Sequence, residues 1–187
     1  MKKMGDEINY GEVLQTLART DPSSERETCE CVAMLFWYGL QARTILELGV
    51  HRGFSTQTFL VACRRTGGHL YSVDIVDCPF AREAVKTHQL EPFWTFTVQD
   101  DVEYAKTWNN PIDLLFVDSS HQYDHTLAEL RLYSSFLTEK GVILLHDTIG
   151  SKSPKYAAEK FMEENPEWQL KELLPTSRYG LGELRKK

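Results

Sequence analysis

Residues 45–56 read Ile45-Leu46-Glu47-Leu48-Gly49-Val50-His51-Arg52-Gly53-Phe54-Ser55-Thr56. The apolar start predicts a strand. Gly49 and Gly53 predict a turn that brings backbone close to a ligand, and Ser55 or Thr56 can cap the helix that follows. In open α/β sheets such a turn binds ligands at the carboxyl ends of the strands, near the switch in strand order. The spacing separates two ligand classes. A dinucleotide site wants Gly-x-Gly-x-x-Gly, so that pyrophosphate sits at the helix N-terminus. This chain has Glu-x-Gly-x-x-x-Gly, with Val50 and His51 where the close-approach glycine would be. Glu47 would repel a phosphate and suits a cationic amino-acid and sulfonium ligand.

Outward from this turn, short apolar runs alternate with helical stretches. Strands are predicted at 44–49, 69–74, 93–98, 112–118 and 140–146, and helices near 54–66, 80–88, 100–107, 123–137 and 153–164. That alternation implies βαβ units and a parallel sheet. Leu114-Leu115-Phe116-Val117 and Val142-Ile143-Leu144-Leu145 are apolar on both faces, as buried parallel strands are. The tail differs. Trp168 to Leu174 and Gly180 to Leu184 read as strands with only a turn between them, so they are expected to pair as an antiparallel hairpin. A dinucleotide-binding sheet, parallel throughout, has no such tail.

Upstream, residues 7–20 form a weak amphipathic helix, and Asp21-Pro22-Ser23-Ser24 breaks it. Residues 25–40 form a strongly apolar helix in which Phe36 and Trp37 are expected in the core. These two helices are expected to cap the crevice, and such an apolar pair is also a common dimer surface. The chain therefore divides into a helical cap, 1–41, and a cofactor-binding core, 42–187, within one domain.

Acidic residues recur at successive strand ends. Asp74 lies 25 residues after Gly49, where a carboxylate accepts both ribose hydroxyls. Asp100, at the end of the third strand, can reach an adenine amino group. Taken singly, each acid also reads as a helix cap. The ordered set resembles the class I S-adenosylmethionine-dependent methyltransferases over residues 40–187. Glu47, Gly49 and Gly53 match that family's first motif, Asp74 its ribose-binding acid and Asp100 its adenine-contacting acid. The resemblance implies a three-layer, Rossmann-like α/β fold with a seven-stranded, mostly parallel sheet closed by an antiparallel hairpin. It implies S-adenosyl-L-methionine as cofactor, held by Glu47, Gly49, His51, Gly53, Ser55, Asp74, Asp100 and Asp118.

The fourth strand delivers Asp118 and His121, and the fifth delivers His146 and Asp147. A histidine titrates near neutrality and suits the removal of a hydroxyl proton. Two carboxylates can hold a divalent cation that lowers the hydroxyl's pKa. Asp-x-x-His followed by His-Asp resembles the small-molecule and sugar O-methyltransferases and their cephalosporin-hydroxylase-like relatives. That resemblance implies Asp118 and His121 as catalytic residues, and Asp118, His146 and Asp147 as metal ligands. His146 stands where that branch often has a carboxylate. Magnesium prefers oxygen, so manganese, iron, another imidazole-tolerant cation or no metal remain as readings. His121 reads as the base or as a loop hydrogen bond; His146 reads as a ligand, a second base or a capping contact. His69, His88 and His125 read as surface residues, and Tyr123 as a contact to the acceptor.

The formal net charge of −6 disfavours nucleic acid or an anionic membrane as a partner. No apolar run approaches the ~20 residues of a membrane span, and a cytoplasmic location is expected. Cys29, Cys31, Cys63 and Cys78 show no zinc-site spacing and read as reduced, packed thiols. The expected function is methyl transfer to a small-molecule hydroxyl. The competing readings are an NAD-type oxidoreductase, disfavoured by the turn and the tail, and a non-catalytic S-adenosylmethionine binder.

Overall fold

A computed structural model describes Gly11 and residues 31–187 of the chain. The predicted helix over 7–20, the Asp21-Pro22-Ser23-Ser24 break, the first half of the helix over 25–40 and Cys29 lie outside the described residues. Described helix α1 is Val32–Gly39. It is followed by β1 (Thr44–Leu48), α2 (Phe54–Thr66), β2 (His69–Asp74) and α3 (Pro79–Thr87). Then come β3 (Trp94–Val98), α4 (Asp101–Tyr104), β4 (Ile112–Val117) and α5 (Tyr123–Tyr133). The chain ends through β5 (Leu137–His146), α6 (Lys152–Glu164), β6 (Trp168–Glu172) and β7 (Leu181–Lys186).

The seven strands form one sheet in the order β3-β2-β1-β4-β5-β7-β6. Strands β1 to β5 are parallel, and β7 runs antiparallel to both β5 and β6. The predicted hairpin is present, with a detail the sequence left open: the last strand, not the first of the pair, docks on β5. The order reverses between β1 and β4, so the turns that leave these strands part and open a crevice.

Apolar side chains fill both faces of the sheet, giving three layers. On one face Leu35 of α1 and Phe59 and Leu60 of α2 pack over Ile45, Phe116 and Leu144. Gly39 lets α1 approach closely, because a Cβ there would lie 2.8 Å from the Cβ of Ala62. On the other face Leu130 and Tyr133 of α5 and Phe161 of α6 pack over Leu46, Leu115 and Ile143. Phe59 meets Phe116 edge to face at 5.4 Å, and truncating so buried a ring to alanine costs about 3–5 kcal/mol.

Three expectations are corrected. Trp37 is 54% exposed on the outer side of α1, whereas Phe36, half-buried beneath the Arg65 guanidinium, does pack against the core. The apolar face of α1 is satisfied by Val32, Leu35 and Tyr38, and Trp37 falls outside it. The helix over 100–107 shortens to Asp101–Tyr104, and the one over 123–137 ends at Tyr133 in a 3-10 turn, Ser134–Phe136. Strand β5 starts early, at Leu137, where its register against β4 shifts between Ile112 and Leu114.

Candidate active site

Helix α2 starts at Gly53, whose φ of 81° is left-handed. A Cβ there would lie 2.7 Å from the Cβ of Ala81, so the turn needs glycine for space as well as conformation. Gly49, at φ 91°, sits where a Cβ would overlap the Asp118 carbonyl. The first turn is thus pressed against the end of β4, and the cofactor loop and the Asp118 loop share one wall.

The carboxylates of β1 and β2 hold this turn from beneath. Glu47 is fully buried and accepts hydrogen bonds from Ser55 Oγ at 2.6 Å, Thr56 Oγ1 at 2.8 Å and Ser72 Oγ at 2.6 Å. Burial pushes its carboxyl up to about 7, against these three donors. The expectation that Glu47 faces a ligand meets a different geometry: both its oxygens are engaged inside the protein, and it does not line the crevice. Asp74 does line it. One carboxylate oxygen accepts from the Val50 and His51 amides at 2.9 and 3.1 Å, and the other from Val76 at 3.0 Å. Burial opposes the charge on Asp74, yet these amides hold it below the usual carboxylate range. His51, at φ 49°, turns the backbone so that both amides converge.

The crevice has a volume of about 600 Å³, ample for a nucleoside. Its lining includes Gly49, His51, Gly53 and Ser55 on one side. Asp74, Asp100 and Asp118 lie at successive strand ends. Asp100 also caps α4, accepting from the Glu103 amide at 3.0 Å.

At the ends of β4 and β5 four side chains form a closed ring of alternating oxygen and nitrogen. Asp118 Oδ1 lies 3.0 Å from His121 Nε2, which lies 3.1 Å from Asp147 Oδ2. His146 Nδ1 closes it, 3.4 Å from Asp147 Oδ2 and 3.1 Å from Asp118 Oδ1. His121 and Asp147 both have positive φ, 54° and 60°. Non-glycine residues held so are strained, and such strain collects at functional sites. Burial opposes the charge on Asp118, but His146 and His121 hold its carboxyl well below the usual range. The hydrogen bond to Asp118 raises His121. Burial opposes charge on His146, yet Asp118 raises it well above the ordinary value. Cys31, buried at the start of α1, also bonds the His146 ring.

His121 faces two spaces. Besides the crevice it lines a second cavity of about 490 Å³, shared with Asp147, Ile149, Gly150, Arg178 and Tyr179. The turn between β6 and β7 supplies the far wall, fixed by Ile149 and Gly150 amides that donate to the Tyr179 carbonyl at 2.7 and 2.8 Å. This wall was not legible in the sequence, because nothing local says where the hairpin turn lands. His125 is corrected from surface to half-buried: its Nε2 is 2.7 Å from Asp101 Oδ1, and it lines the crevice. Its spacing to Glu129, four residues on the same helix, was the available signal. Tyr123 is 37% exposed, and it lines neither cavity.

A nucleoside-sized crevice at the switch point, beside a ring of acids and imidazoles, defines an α/β group-transfer enzyme. Residues 46–148, more than half of the chain, match the family described as a methyltransferase domain. The chain belongs to that family. No curated protein sequence matches it. Solved structures with a similar fold include the SAH-bound methyltransferase PaMTH1 of Podospora anserina. It is 17% identical with a TM-score of 0.75, over 97% of this chain and 89% of that one. TomG of Streptomyces achromogenes, an O-methyltransferase of tomaymycin synthesis in complex with SAM, is 14% identical. Its TM-score is 0.75, over 97% and 91% of the two chains. An O-methyltransferase from Bacillus cereus in complex with SAH is 17% identical with a TM-score of 0.66, over 100% and 94%. At these identities the likeness is one of fold.

Proposed function

We propose that this methyltransferase moves a methyl group from S-adenosylmethionine to a hydroxyl oxygen of a small molecule. The observation that carries this reading is the position of His121, which faces both the nucleoside-sized crevice and the second cavity. An in-line displacement needs donor and acceptor on opposite sides of one reacting line, with a base beside the acceptor. Structural neighbours named as O-methyltransferases and bound to SAM or SAH support the same cofactor and acceptor atom.

Asp74 and Asp100 are placed to accept hydrogen bonds from a ribose and an adenine amino group, and Gly49, Gly53 and Ser55 leave room for the rest of the cofactor. Bound S-adenosylmethionine supplies the electrophilic methyl group. Asp118, His146 and Asp147 fit a divalent cation: their donor atoms and that of His121 all lie within 4.8 Å of one another. A mixed imidazole and carboxylate set favours manganese, iron or zinc over magnesium. Such a cation lowers the pKa of a coordinated hydroxyl. His121 donates its Nε2–H to Asp118, which leaves Nδ1 as the nitrogen that accepts the acceptor's proton.

The reading extends to one domain with residues 1–41 as a segment beside the core, acting in the cytoplasm on a small molecule and not on nucleic acid. The charge of −6 supports this, and among the described residues no helix is long and apolar enough to cross a membrane. Trp37 and Leu40, exposed on α1, support a homodimer.

Thermal shift and calorimetry with S-adenosylmethionine, S-adenosylhomocysteine and NAD test the cofactor. Both methionine derivatives are expected to stabilise the protein, and stabilisation by NAD alone would overturn the reading. In methyl-transfer assays over a panel of hydroxylated small molecules, His121→Ala is expected to lower kcat about 10²- to 10⁴-fold with S-adenosylhomocysteine binding retained. Full turnover by that variant would remove the assigned role.

A further inference from the structure

Helix α5 carries a polar seam in an otherwise apolar interface. His125, Glu129 and Tyr133 follow one another at intervals of four residues, so they line one stripe of the helix. Each grips a loop at the end of a strand. Tyr133 Oη donates to the Asp101 carbonyl at 2.6 Å, and His125 Nε2 meets the Asp101 carboxylate at 2.7 Å. Glu129, fully buried, accepts from Ser119 Oγ at 2.6 Å, and its carboxyl group faces that of Asp101.

The two gripped loops are the two that matter. Asp101, the first residue of α4, adjoins Asp100, and both line the crevice after β3. Ser119 immediately follows Asp118 and precedes His121, whose backbone is held at φ 54°. Within residues 118–122 the other anchors are few. The Asp118 amide donates to the Leu48 carbonyl at 2.9 Å, the Gln122 carbonyl accepts from the Thr126 amide at 2.9 Å, the Gln122 amide reaches Ser120 Oγ only at 3.4 Å, and the His121 ring meets Asp118 at 3.0 Å. A strained residue in a loop with few backbone bonds needs something else to hold it. The Ser119–Glu129 bond adds that support: a short, partly buried hydrogen bond to a carboxylate fixed on helix α5.

Burying a carboxyl group is expensive, and a leucine of similar size would serve packing alone. Its presence here, bonded to the loop that follows Asp118, indicates positioning. We propose that Glu129 is a positioning residue: through Ser119 it fixes the loop that carries Asp118 and His121, while His125 and Tyr133 on the same stripe of α5 hold Asp101 beside it. Glu129 touches neither cavity and acts only through these neighbours. The inference rests on the proposed roles of Asp118 and His121 for its functional meaning, but not for its structural test.

Hydrogen exchange by mass spectrometry, with Glu129→Leu, Glu129→Gln and Ser119→Ala, tests it. In Ser119→Ala and Glu129→Leu the peptide over residues 118–122 is expected to exchange at least tenfold faster, with β4 and α2 still protected. Glu129→Gln, which keeps an acceptor for Ser119, is expected to stay within threefold of the parent. Calorimetry with S-adenosylhomocysteine adds a second readout. Affinity is expected to fall about tenfold in both Glu129→Leu and Ser119→Ala, and to stay within about threefold of the parent in Glu129→Gln. Unchanged exchange at 118–122 in Ser119→Ala would overturn the proposal, as would a uniform rise across the chain in Glu129→Leu. Ser119→Ala removes only one oxygen, so it keeps the test valid if Glu129→Leu fails to fold. If the parent binds no S-adenosylhomocysteine, the cofactor reading falls while the exchange result still decides the role of Glu129.

Discussion

The crevice is built from two halves that use carboxylates in opposite ways. At the ends of β1 and β2, Glu47 and Asp74 are met by neutral donors: three hydroxyls for one and three amides for the other. At the ends of β4 and β5, Asp118 and Asp147 are met by two imidazoles. Hydroxyls and amides cannot leave, so the first half is a fixed cradle. Imidazoles can lose a proton and can ligate a cation, so the second half can change its charge. On the proposed reading, the first half holds the cofactor and the second carries the reaction.

The comparison can be broken most severely on the reactive side. Asp118→Asn removes one corner of the ring and is expected to lower kcat by about 10³-fold, while leaving S-adenosylhomocysteine affinity within a factor of ~10. Equal loss of both, by steady-state kinetics and calorimetry, would mean that the two halves do not divide the work. On the holding side, Asp74→Ala frees the Val50, His51 and Val76 amides. It is expected to weaken S-adenosylhomocysteine binding about 10- to 100-fold, the effect of losing charge-assisted hydrogen bonds at a buried site. Residual kcat at saturating cofactor should change little.

Gly49→Ala tests where the halves meet. Both the left-handed φ and the overlap with the Asp118 carbonyl oppose a side chain. A loss of about 2–4 kcal/mol in denaturant unfolding is expected. The smallest effect concerns pH. The Glu47 carboxyl sits at about 7 when folded, above its ordinary value of 4.5. The folded state therefore binds this proton more tightly than the unfolded chain does. The stabilisation is fully present below about 4.5 and is lost as pH rises through about 7. Glu47→Gln should flatten the stability profile between pH 5 and 7 without shifting its acid limb. An unchanged profile would mean that Glu47 is charged throughout.

Much of the holding half was legible in the chain itself. The Glu47-x-Gly49-x-x-x-Gly53 spacing excluded the dinucleotide turn, and the alternation of apolar runs with helices supplied the parallel strands in order. These are local signals: a glycine is needed where φ is positive, and a buried parallel strand must be apolar on both faces. Asp118, His121, His146 and Asp147 were legible as residues placed at neighbouring strand ends. Their closure into one ring was not, because it depends on positive φ at His121 and Asp147, which neither residue type announces. The surroundings of Glu47 were hidden for a related reason. An acid in a cofactor motif looks like a ligand contact, and only the hydroxyls of Ser55, Thr56 and Ser72 converging on it from three elements reveal a buried strut.

By itself, then, the sequence determined the order of the elements, the antiparallel tail and the placing of Asp74, Asp100 and Asp118 at strand ends. All of these follow from periodicity, glycine placement and spacing along the chain. Tertiary structure alone decided which strand of the tail docks on β5, where the Tyr179 turn lands, and that His125, Glu129 and Tyr133 tie two loops together. It decided them because each rests on contacts between residues far apart in the chain. Such contacts are set by how whole layers pack, and no short stretch of sequence contains them.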